Sequence, residues 1–297
     1  MISIIIPAYN VNPYLEETCR SVIAQTYQEW EALIIDDGST DATPKIAQEM
    51  SARDPRFRVI RQANAGVSAA RNTGLRHSLG EFILFLDADD LLVPAALNDL
   101  LTALQAHPDC VLSWGKARFF RDVTHEECPT PWKNYHATGN AWLDMLVHDF
   151  LPVGSFCLRR ALLPAGCTFN ITLSHAEDRD FLLRVLRDHP AVPVPQTTLL
   201  VRLRYGSASS NYRKAIDGEL TIMEHYLDDP AVPAAVRRRA FSALAFRCAV
   251  IAGFTGRRYG EALIWYLKAI FRDPLNGNNY LLPLRKALLI LRSKLCK

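Results

Sequence analysis

Three aspartates end an apolar run in FILFLDADDLL, residues 82–92. In an extended chain residues i and i+2 project to the same side, so Asp87 and Asp89 can converge while Ala88 faces away. Two such carboxylates repel each other by roughly 1–4 kcal/mol at about 4 Å, and a hard divalent cation removes that repulsion. The spacing therefore indicates a metal site. The alternative is a solvated loop in which Asp90 caps the next helix.

A second acidic site lies in IIDDGSTD, residues 34–41. Asp36 and Asp37 are adjacent and point to opposite faces of an extended chain, so only one of them can reach a shared ligand. Gly38 permits a sharp turn, and Ser39, Thr40 or Asp41 can bind the free amides of a following helix. An aspartate here suits a hydrogen bond from a base or a ribose. A plain strand-to-helix turn is the alternative.

Arg71 lies inside the predicted helix of NAGVSAARNTGL, residues 64–75. A guanidinium near an acidic cluster can form a simple salt bridge or hold a diphosphate. The chain has no GxGxxG after its first strand and no GxxxxGK[ST]. A dinucleotide oxidoreductase or a P-loop enzyme would therefore lack its usual phosphate cradle.

The fourth element is SHAEDRDFLLRVL, residues 174–186. Ser174 and Glu177 fit a capping box, which is a sufficient structural explanation for Glu177. Asp178 shares the helix face of Leu182 and Val185, the stripe that this helix should bury. A carboxylate at that position is costly unless it meets a ligand or an arginine such as Arg179 or Arg202.

These side chains must be positioned by alternating strands and helices. The apolar strands are predicted at 2–7, 32–36, 57–60 and 81–86, and the helices between them at 14–26, 43–52 and 67–78. Continuous rather than alternating apolar strands indicate a parallel sheet covered on both faces. Ligands of such sheets bind beyond the carboxyl ends of the strands, where DDGS and DADD lie.

The rest of the chain is less regular. Strands are predicted at 111–120 and 197–205, and helices at 158–163, 177–188, 213–228, 231–253, 257–272 and 279–296. A soft boundary falls at 206–212, beyond which only helices are predicted. The last stretch, LRKALLILRSKLCK, is basic and amphipathic. It could lie on an anionic membrane surface or pack its leucines on the catalytic domain.

Composition limits the class of protein. The 297 residues carry a formal net charge of +3, which does not favour nucleic acid as a partner. Seven scattered cysteines and an N-terminus without a basic segment predict reduced thiols in the cytosol. The apolar stretch 240–254 contains Arg247 and is too short to span a bilayer. We expect a cytoplasmic protein, or one that is peripheral on the inner face of the membrane.

Together the motifs SIIIPAYN, ALIIDDGSTD, NAGVSAARNTGL, GEFILFLDADD and AEDRDFLLR resemble, in this order, glycosyltransferase family 2, a large inverting family. The match is close from Met1 to about Gly115 and resumes at 176–184. The resemblance implies the α/β fold called GT-A, a Rossmann-like, mostly parallel sheet with helices on both faces, followed by a C-terminal helical segment. It implies a catalytic domain at 1–208, with a nucleotide-sugar half (1–115) and an acceptor half (116–208). A helical region follows at 209–297.

The resemblance also implies roles for single residues. Asp37 would contact the donor's base, and the lining of the nucleotide-sugar pocket would comprise Pro7, Ala8, Tyr9 and Ala88. Arg71 would lie near the diphosphate. Asp89 would bind Mn²⁺ or Mg²⁺ directly, and Asp87 would reach the ribose, the metal or its bound water. Asp178 would be the catalytic base.

The implied activity is metal-dependent, inverting transfer of a sugar from a nucleotide-diphosphate sugar to a hydroxyl of a glycan or lipid-linked acceptor. Family habit favours a UDP-sugar, and cell-surface polysaccharide or lipopolysaccharide synthesis is the expected setting. A sugar nucleotidyltransferase is one alternative, but PAYNVNPYLEE lacks its Gly-rich, lysine-bearing loop. A non-catalytic nucleotide- or glycan-binding module is the other; it predicts loss of Asp89 or Asp178, and both are present. The oligomeric state is left open.

Overall fold

The structure, a computed structural model, describes residues 1–122, 124–128, 139–148, 151–204, 212–256 and 258–272. Within these residues one nine-stranded sheet has the order β3-β2-β1-β4-β8-β6-β9-β5, and β7 pairs with β6. The strands are β1 Ile2–Ala8, β2 Trp30–Asp36, β3 Phe57–Arg61, β4 Phe82–Phe85, β5 Leu91–Leu92, β6 Leu112–Arg121, β7 Glu127–Cys128, β8 Phe156–Arg159 and β9 Ala191–Leu203.

Strands β1 to β4 form the parallel half of the sheet. Three helices connect them: α1 Leu15–Ile23, α2 Thr43–Arg53 and α3 Val67–His77. Ile4 and Ile6 on one face of β1 join a core that includes Leu15 of α1. Ile5, on the other face, contacts α3 so closely that a Cβ on Gly74 would lie 2.3 Å from its Cγ2. Both faces of the sheet are thus covered, which explains why these strands are apolar throughout.

The second half is mixed. The antiparallel strand β8 lies between β4 and β6, and β6 runs parallel to β9 with register shifts between Trp114 and Ala117. Its helices are α4 Ala96–Ala106, α5 Ala141–Val147 and α6 Glu177–Leu186. The helix predicted at 158–163 is wrong, because Leu158 pairs with both β4 and β6 and only a short 3-10 turn, Arg160–Leu162, follows. Pairing on both sides outweighs the local helical pattern.

The C-terminal helices are α7 Tyr212–Leu227, α8 Ala234–Val250, continued by the π-turn Ile251–Thr255, and α9 Tyr259–Arg272. The helix predicted at 279–296 lies outside the described residues. No helix in the described part of the chain is both long and apolar enough to cross a membrane.

Contacts divide the chain into two compact units. One comprises Met1–Met145, Asp149–Leu173 and Glu177–Ser207, and the other comprises Leu146–His148, Ser174–Ala176 and Ala208–Lys297. The predicted assignment of 1–208 to catalysis and 209–297 to a helical region is a statement about function, and it stays a prediction.

Candidate active site

The predicted site residues of the first half lie along one edge of the sheet. Strands β1 and β2 run in parallel register and end together at the pair Ala8 and Asp36, while Ile5 pairs with Phe85 near the end of β4. Asp37 and Asp87 therefore follow β2 and β4, the two parallel strands that flank β1, at their carboxyl ends. This is the edge at which such sheets bind ligands.

Asp36 and Asp37 point in different directions, as their adjacency predicts. Buried Asp36 accepts the Ser39 N–H at 3.0 Å and faces Arg61 Nε at 3.2 Å. Asp37 is also buried: it accepts Gln62 Nε2 at 2.7 Å, Ala65 N at 3.0 Å and Gly66 N at 2.8 Å. Asp37 thus fastens the loop that leads into α3, and its predicted contact with a base stays a prediction.

The remaining predicted pocket residues differ in exposure. Tyr9 is exposed at the end of β1, Pro7 is half-buried and Ala8 is buried. Ala88 is buried, and its carbonyl accepts the Thr18 hydroxyl of α1 at 3.0 Å. Ala88 therefore packs on the hydrophobic core.

Asp87, Asp89 and Asp90 form a crowded acidic loop. Asp87 accepts Arg71 Nη2 at 2.9 Å, and Asp89 accepts Arg204 Nε at 2.5 Å. Burial and the charge of Asp87 raise the pKa of Asp89 despite the opposing guanidinium of Arg204. Burial and the charges of Asp87 and Asp89 raise the pKa of Asp90 well above its ordinary value. Burial and the neighbouring carboxylates thus disfavour the charged forms of Asp89 and Asp90.

Asp90 does not behave as the helix cap weighed from the sequence. Its Oδ1 accepts the Arg202 N–H of β9 at 2.9 Å, and α4 begins only at Ala96. Asp90 therefore joins the acidic loop to β9.

Arg71 is the centre of an ion cluster. Its side chain is only 4% exposed and donates to Asp87 Oδ1 and to Glu177 Oε1, both at 2.9 Å. Burial alone would lower the pKa of this guanidinium, but the carboxylates of Asp87, Glu177 and Asp178 raise it above its ordinary value. Both Nη atoms are thus engaged with protein carboxylates. The predicted contact of Arg71 with a diphosphate stays a prediction.

Asp178 belongs to the same cluster. It is half-buried in the first turn of α6, and its Oδ1 accepts the Arg179 N–H at 2.8 Å. Its charge acts on Arg71, which in turn binds Asp87. Leu182 and Val185 on its helix face are fully buried, so the predicted buried stripe is present. The structure therefore places Asp178 within electrostatic range of the guanidinium that binds Asp87.

The sequence suggested Arg202 only as a partner of Asp178, and it did not predict that β9 contributes to the acidic loop. Arg202, whose side chain is buried, donates to the Asp89 carbonyl at 2.8 Å, to Asp122 Oδ1 at 2.9 Å and to Glu17 Oε2 at 2.5 Å. Arg204, directly after the end of β9, binds the Asp89 side chain. The only local sign of these contacts is the alternation RLR at 202–204, and this pattern does not indicate which acidic residues the two arginines bind.

The acidic loop fits a cation that shares a phosphate ligand. Among the described residues no group of three His, Cys, Asp or Glu side chains could hold a metal ion by itself. Asp87 and Asp89 offer two hard carboxylates, and Mg²⁺ is commonly bound by one or two carboxylates together with substrate phosphates. The donor set therefore suits Mg²⁺ or Mn²⁺ bound together with a diphosphate.

A family model supports the same reading of the sequence. The model described as glycosyl transferase family 2 matches residues 3–163, which is more than half of the chain. An uncharacterized glycosyltransferase, EpsJ, of Bacillus subtilis (strain 168) is 29% identical over 237 residues. That match covers 74% of this chain and 66% of EpsJ, so the chain spans somewhat less than two thirds of that relative.

Two solved structures share the fold. Staphylococcus aureus TarS 1–349 in complex with UDP-GlcNAc has a TM-score of 0.66 at 21% identity, covering 90% of this chain and 81% of that one. The mannosyltransferase PcManGT from Pyrobaculum calidifontis, in complex with GDP-Man and Mn²⁺, has a TM-score of 0.68 at 19% identity, covering 97% and 80%. The predicted GT-A fold with C-terminal helices is thereby confirmed.

Proposed function

The chain belongs to glycosyl transferase family 2, and we propose that it transfers a sugar from a UDP-sugar to a hydroxyl of a glycan or lipid-linked acceptor. The transfer of a sugar from a nucleotide sugar follows from the family. The base, the acceptor and the setting in surface-polysaccharide or lipopolysaccharide synthesis are our proposal. One fold neighbour holds UDP-GlcNAc and another GDP-Man, so the base needs a direct test.

The observation that supports the proposal best is the ion cluster around Arg71. It joins Asp87, from the acidic loop at the sheet edge, to Glu177 at the start of α6, and its charge interacts with that of Asp178. A donor diphosphate bound at the acidic loop would therefore lie near Asp178, whose carboxylate is not needed to bind the donor. Such a carboxylate can act on the acceptor.

In this proposal Asp178 is the catalytic base. An acceptor hydroxyl is a weak nucleophile near neutral pH, and a positioned carboxylate that takes its proton during attack speeds the reaction. The Arg179 N–H holds one oxygen of Asp178 at 2.8 Å, which fixes the orientation of the carboxylate. Attack on the face opposite the leaving group inverts the anomeric centre in one step.

Arg71 is in this proposal a positioning residue. Its two ion pairs hold the Asp87 side chain and the first turn of α6 at fixed separation. A planar guanidinium can serve two carboxylates at once through separate nitrogens. The acidic loop and the base are therefore kept in one arrangement before substrates bind.

Asp89 and Asp87 would hold Mg²⁺ or Mn²⁺ together with the donor's phosphates. When bound, the cation supplies positive charge that stabilises the negative charge of the leaving nucleoside diphosphate. Asp37 would accept a hydrogen bond from the base, beside Pro7, Ala8 and Tyr9. We place the reaction at the cytoplasmic side, with the acceptor in solution or at the membrane surface.

Two substitutions test the proposal by separating transfer from donor binding. Asp178→Asn should reduce the transfer rate by at least about 100-fold, the scale of general-base catalysis. UDP-sugar binding in Mn²⁺, measured by thermal shift, should change little. Asp89→Ala should weaken that binding chiefly when the metal is present. Asp180→Asn is the matched control, since Asp180 lies in the same helical turn and pairs with Arg184 at 2.8 Å.

The assignment of Asp178 as the catalytic base fails if the Asp178→Asn variant transfers the sugar at a rate close to that of the parent protein. Equal loss of donor binding by Asp89→Ala with and without Mn²⁺ would remove this residue from the metal site. A thermal-shift response to GDP-sugars alone would replace the proposed uracil base with guanine.

A further inference from the structure

Helix α9 presents an apolar stripe to the outside. Its exposed side chains are Tyr259 (72%), Leu263 (57%), Ile264 (56%), Leu267 (43%) and Phe271 (81%). At about 100° per residue they span an arc of roughly 140° on one side of the helix. Ala269 is buried on the other side, where its carbonyl accepts the Ser242 hydroxyl of α8 at 3.0 Å. A surface helix of a globular protein normally does the reverse, turning its apolar stripe inward.

The stripe lies in the most basic part of the chain. The whole sequence has 34 Lys and Arg against 31 Asp and Glu, of which 13 and 2 fall within 234–297. The first 233 residues thus carry 21 basic and 29 acidic side chains and are net acidic. Lys268 and Arg272, both exposed on α9, lie beyond one edge of the stripe, and Arg238 and Arg239 are exposed on α8. The described residues of this region are therefore net positive as well.

The apolar stripe and the basic charge together indicate the kind of partner. A polyanion such as a nucleic acid would satisfy the arginines and lysines but would leave five large apolar side chains uncovered. A second copy of the chain could cover the apolar side chains but would bring two strongly basic regions together, and like charges across an interface are costly. An anionic bilayer offers both an apolar layer and negative headgroups.

We propose that α9 docks on an anionic lipid surface. Its stripe enters the boundary between headgroups and acyl chains, and Lys268 and Arg272 lie at the level of the lipid phosphates. Long basic side chains can extend their charged ends to that level while their stems remain in apolar surroundings. The inference goes beyond the proposed reaction and does not depend on the identity of donor or acceptor.

The experiment uses the full chain and vesicles of defined composition. The protein should sediment with vesicles of phosphatidylcholine that contain phosphatidylglycerol, and much less with phosphatidylcholine alone; added salt should weaken the binding. The double variant Leu263→Glu with Leu267→Glu should bind anionic vesicles at least about tenfold more weakly, since two leucines no longer enter the apolar layer. Ile171→Glu is the matched control, because Ile171 is more exposed than either leucine but belongs to the other unit.

Each outcome either supports or overturns the lipid-docking proposal. No binding to anionic vesicles, or equal binding by the parent and the double leucine variant, would overturn the proposal; the latter would assign binding to another segment. Self-association of the parent that the leucine variant abolishes, with vesicle binding unchanged, would make a second copy the occupant. Thermal shift with UDP-sugar and Mn²⁺ is measured on every variant. The α9 variants should retain donor binding, so a failure of the lipid proposal can be told apart from a failure of the proposed reaction.

Discussion

At the scale of single residues, Arg71 is the position on which the candidate site depends. It lies 16 residues before Asp87 and 106 residues before Glu177 in the chain, yet it binds both at 2.9 Å. Removing one partner of a buried ion pair leaves an uncompensated charge, which costs several kcal/mol. Arg71 is therefore expected to matter for both stability and catalysis, and the two effects can be separated by a conservative change.

Replacing Arg71 with lysine keeps the charge but removes the second nitrogen. A single ammonium cannot span Asp87 and Glu177 as the two Nη atoms do. We expect kcat to fall roughly 10- to 100-fold through misplacement of the reacting groups, with KM for the donor nearly unchanged. Steady-state kinetics with varied donor give both values.

Arg76→Lys is the control for this change, since Arg76 lies on the same helix with an exposed side chain. A parent-like kcat for Arg71→Lys would contradict the positioning role. A rise in KM at constant kcat would instead support the diphosphate contact expected from the sequence.

At the scale of elements, α3 carries Arg71 to the site, and its distance from β1 is set by Gly74. A Cβ on Gly74 would meet Ile5 Cγ2 at 2.3 Å, far inside van der Waals contact. The end of β9 holds the acidic loop from the mixed half of the sheet, since Arg202 in the strand and Arg204 directly after it both bind Asp89. The site is thus built where a helix of the parallel half and a strand of the mixed half reach the same loop.

Gly74→Ala should push α3 away from β1 and destabilise the protein by about 1–3 kcal/mol, the usual effect of overpacking. Chemical denaturation monitored by circular dichroism measures this loss. Gly260→Ala is the matched substitution: Gly260 also lies within a helix, but among the described residues no atom outside its chain neighbours and its own helix backbone lies within 4 Å of an added Cβ. It should be neutral or stabilising by up to about 1 kcal/mol through helix propensity. Equal effects of the two changes would show that the close contact does not limit the packing of α3.

At the scale of the whole molecule, Glu31 joins several parts of the parallel half. Its carboxylate accepts the Ser3 hydroxyl of β1 at 2.7 Å, the Leu79 N–H before β4 at 2.6 Å and Arg58 Nη1 of β3 at 3.0 Å. Burial alone would raise the pKa of Glu31, but these donors lower it below its ordinary value. The lowered pKa makes Glu31 a source of pH-dependent stability.

Because the pKa is lower in the folded than in the unfolded state, the contribution of Glu31 is complete above its ordinary value of 4.5 and is lost as the pH falls through the folded value. Glu31→Gln should therefore cost about 1–3 kcal/mol at pH 7, and the difference from the parent should shrink in acid. Urea denaturation at several pH values measures it. Glu29→Gln, at an exposed neighbour, is the matched control; a pH-independent cost for Glu31→Gln would contradict the ionic explanation.

The sequence by itself determined the parallel half of the fold and the edge that carries the acidic residues. Continuous apolar strands require cover on both faces, and parallel strands bring their carboxyl ends to one edge, so the locations of Asp37, Asp87 and Asp89 followed from local pattern alone. The same local pattern misassigned 158–163, because it contains no information about the strands that pair with Leu158.

Only the tertiary structure decided which charges meet. Arg71 with Glu177 and Arg202 with Glu17 are separated by 106 and 185 residues, and nothing in their immediate neighbours selects these partners among 34 basic and 31 acidic side chains. The exposure of the apolar stripe on α9 could likewise not be predicted, since an apolar helix face has the same sequence pattern whether it faces the core or the outside. Periodicity fixes which residues share a face, and only packing fixes what that face meets.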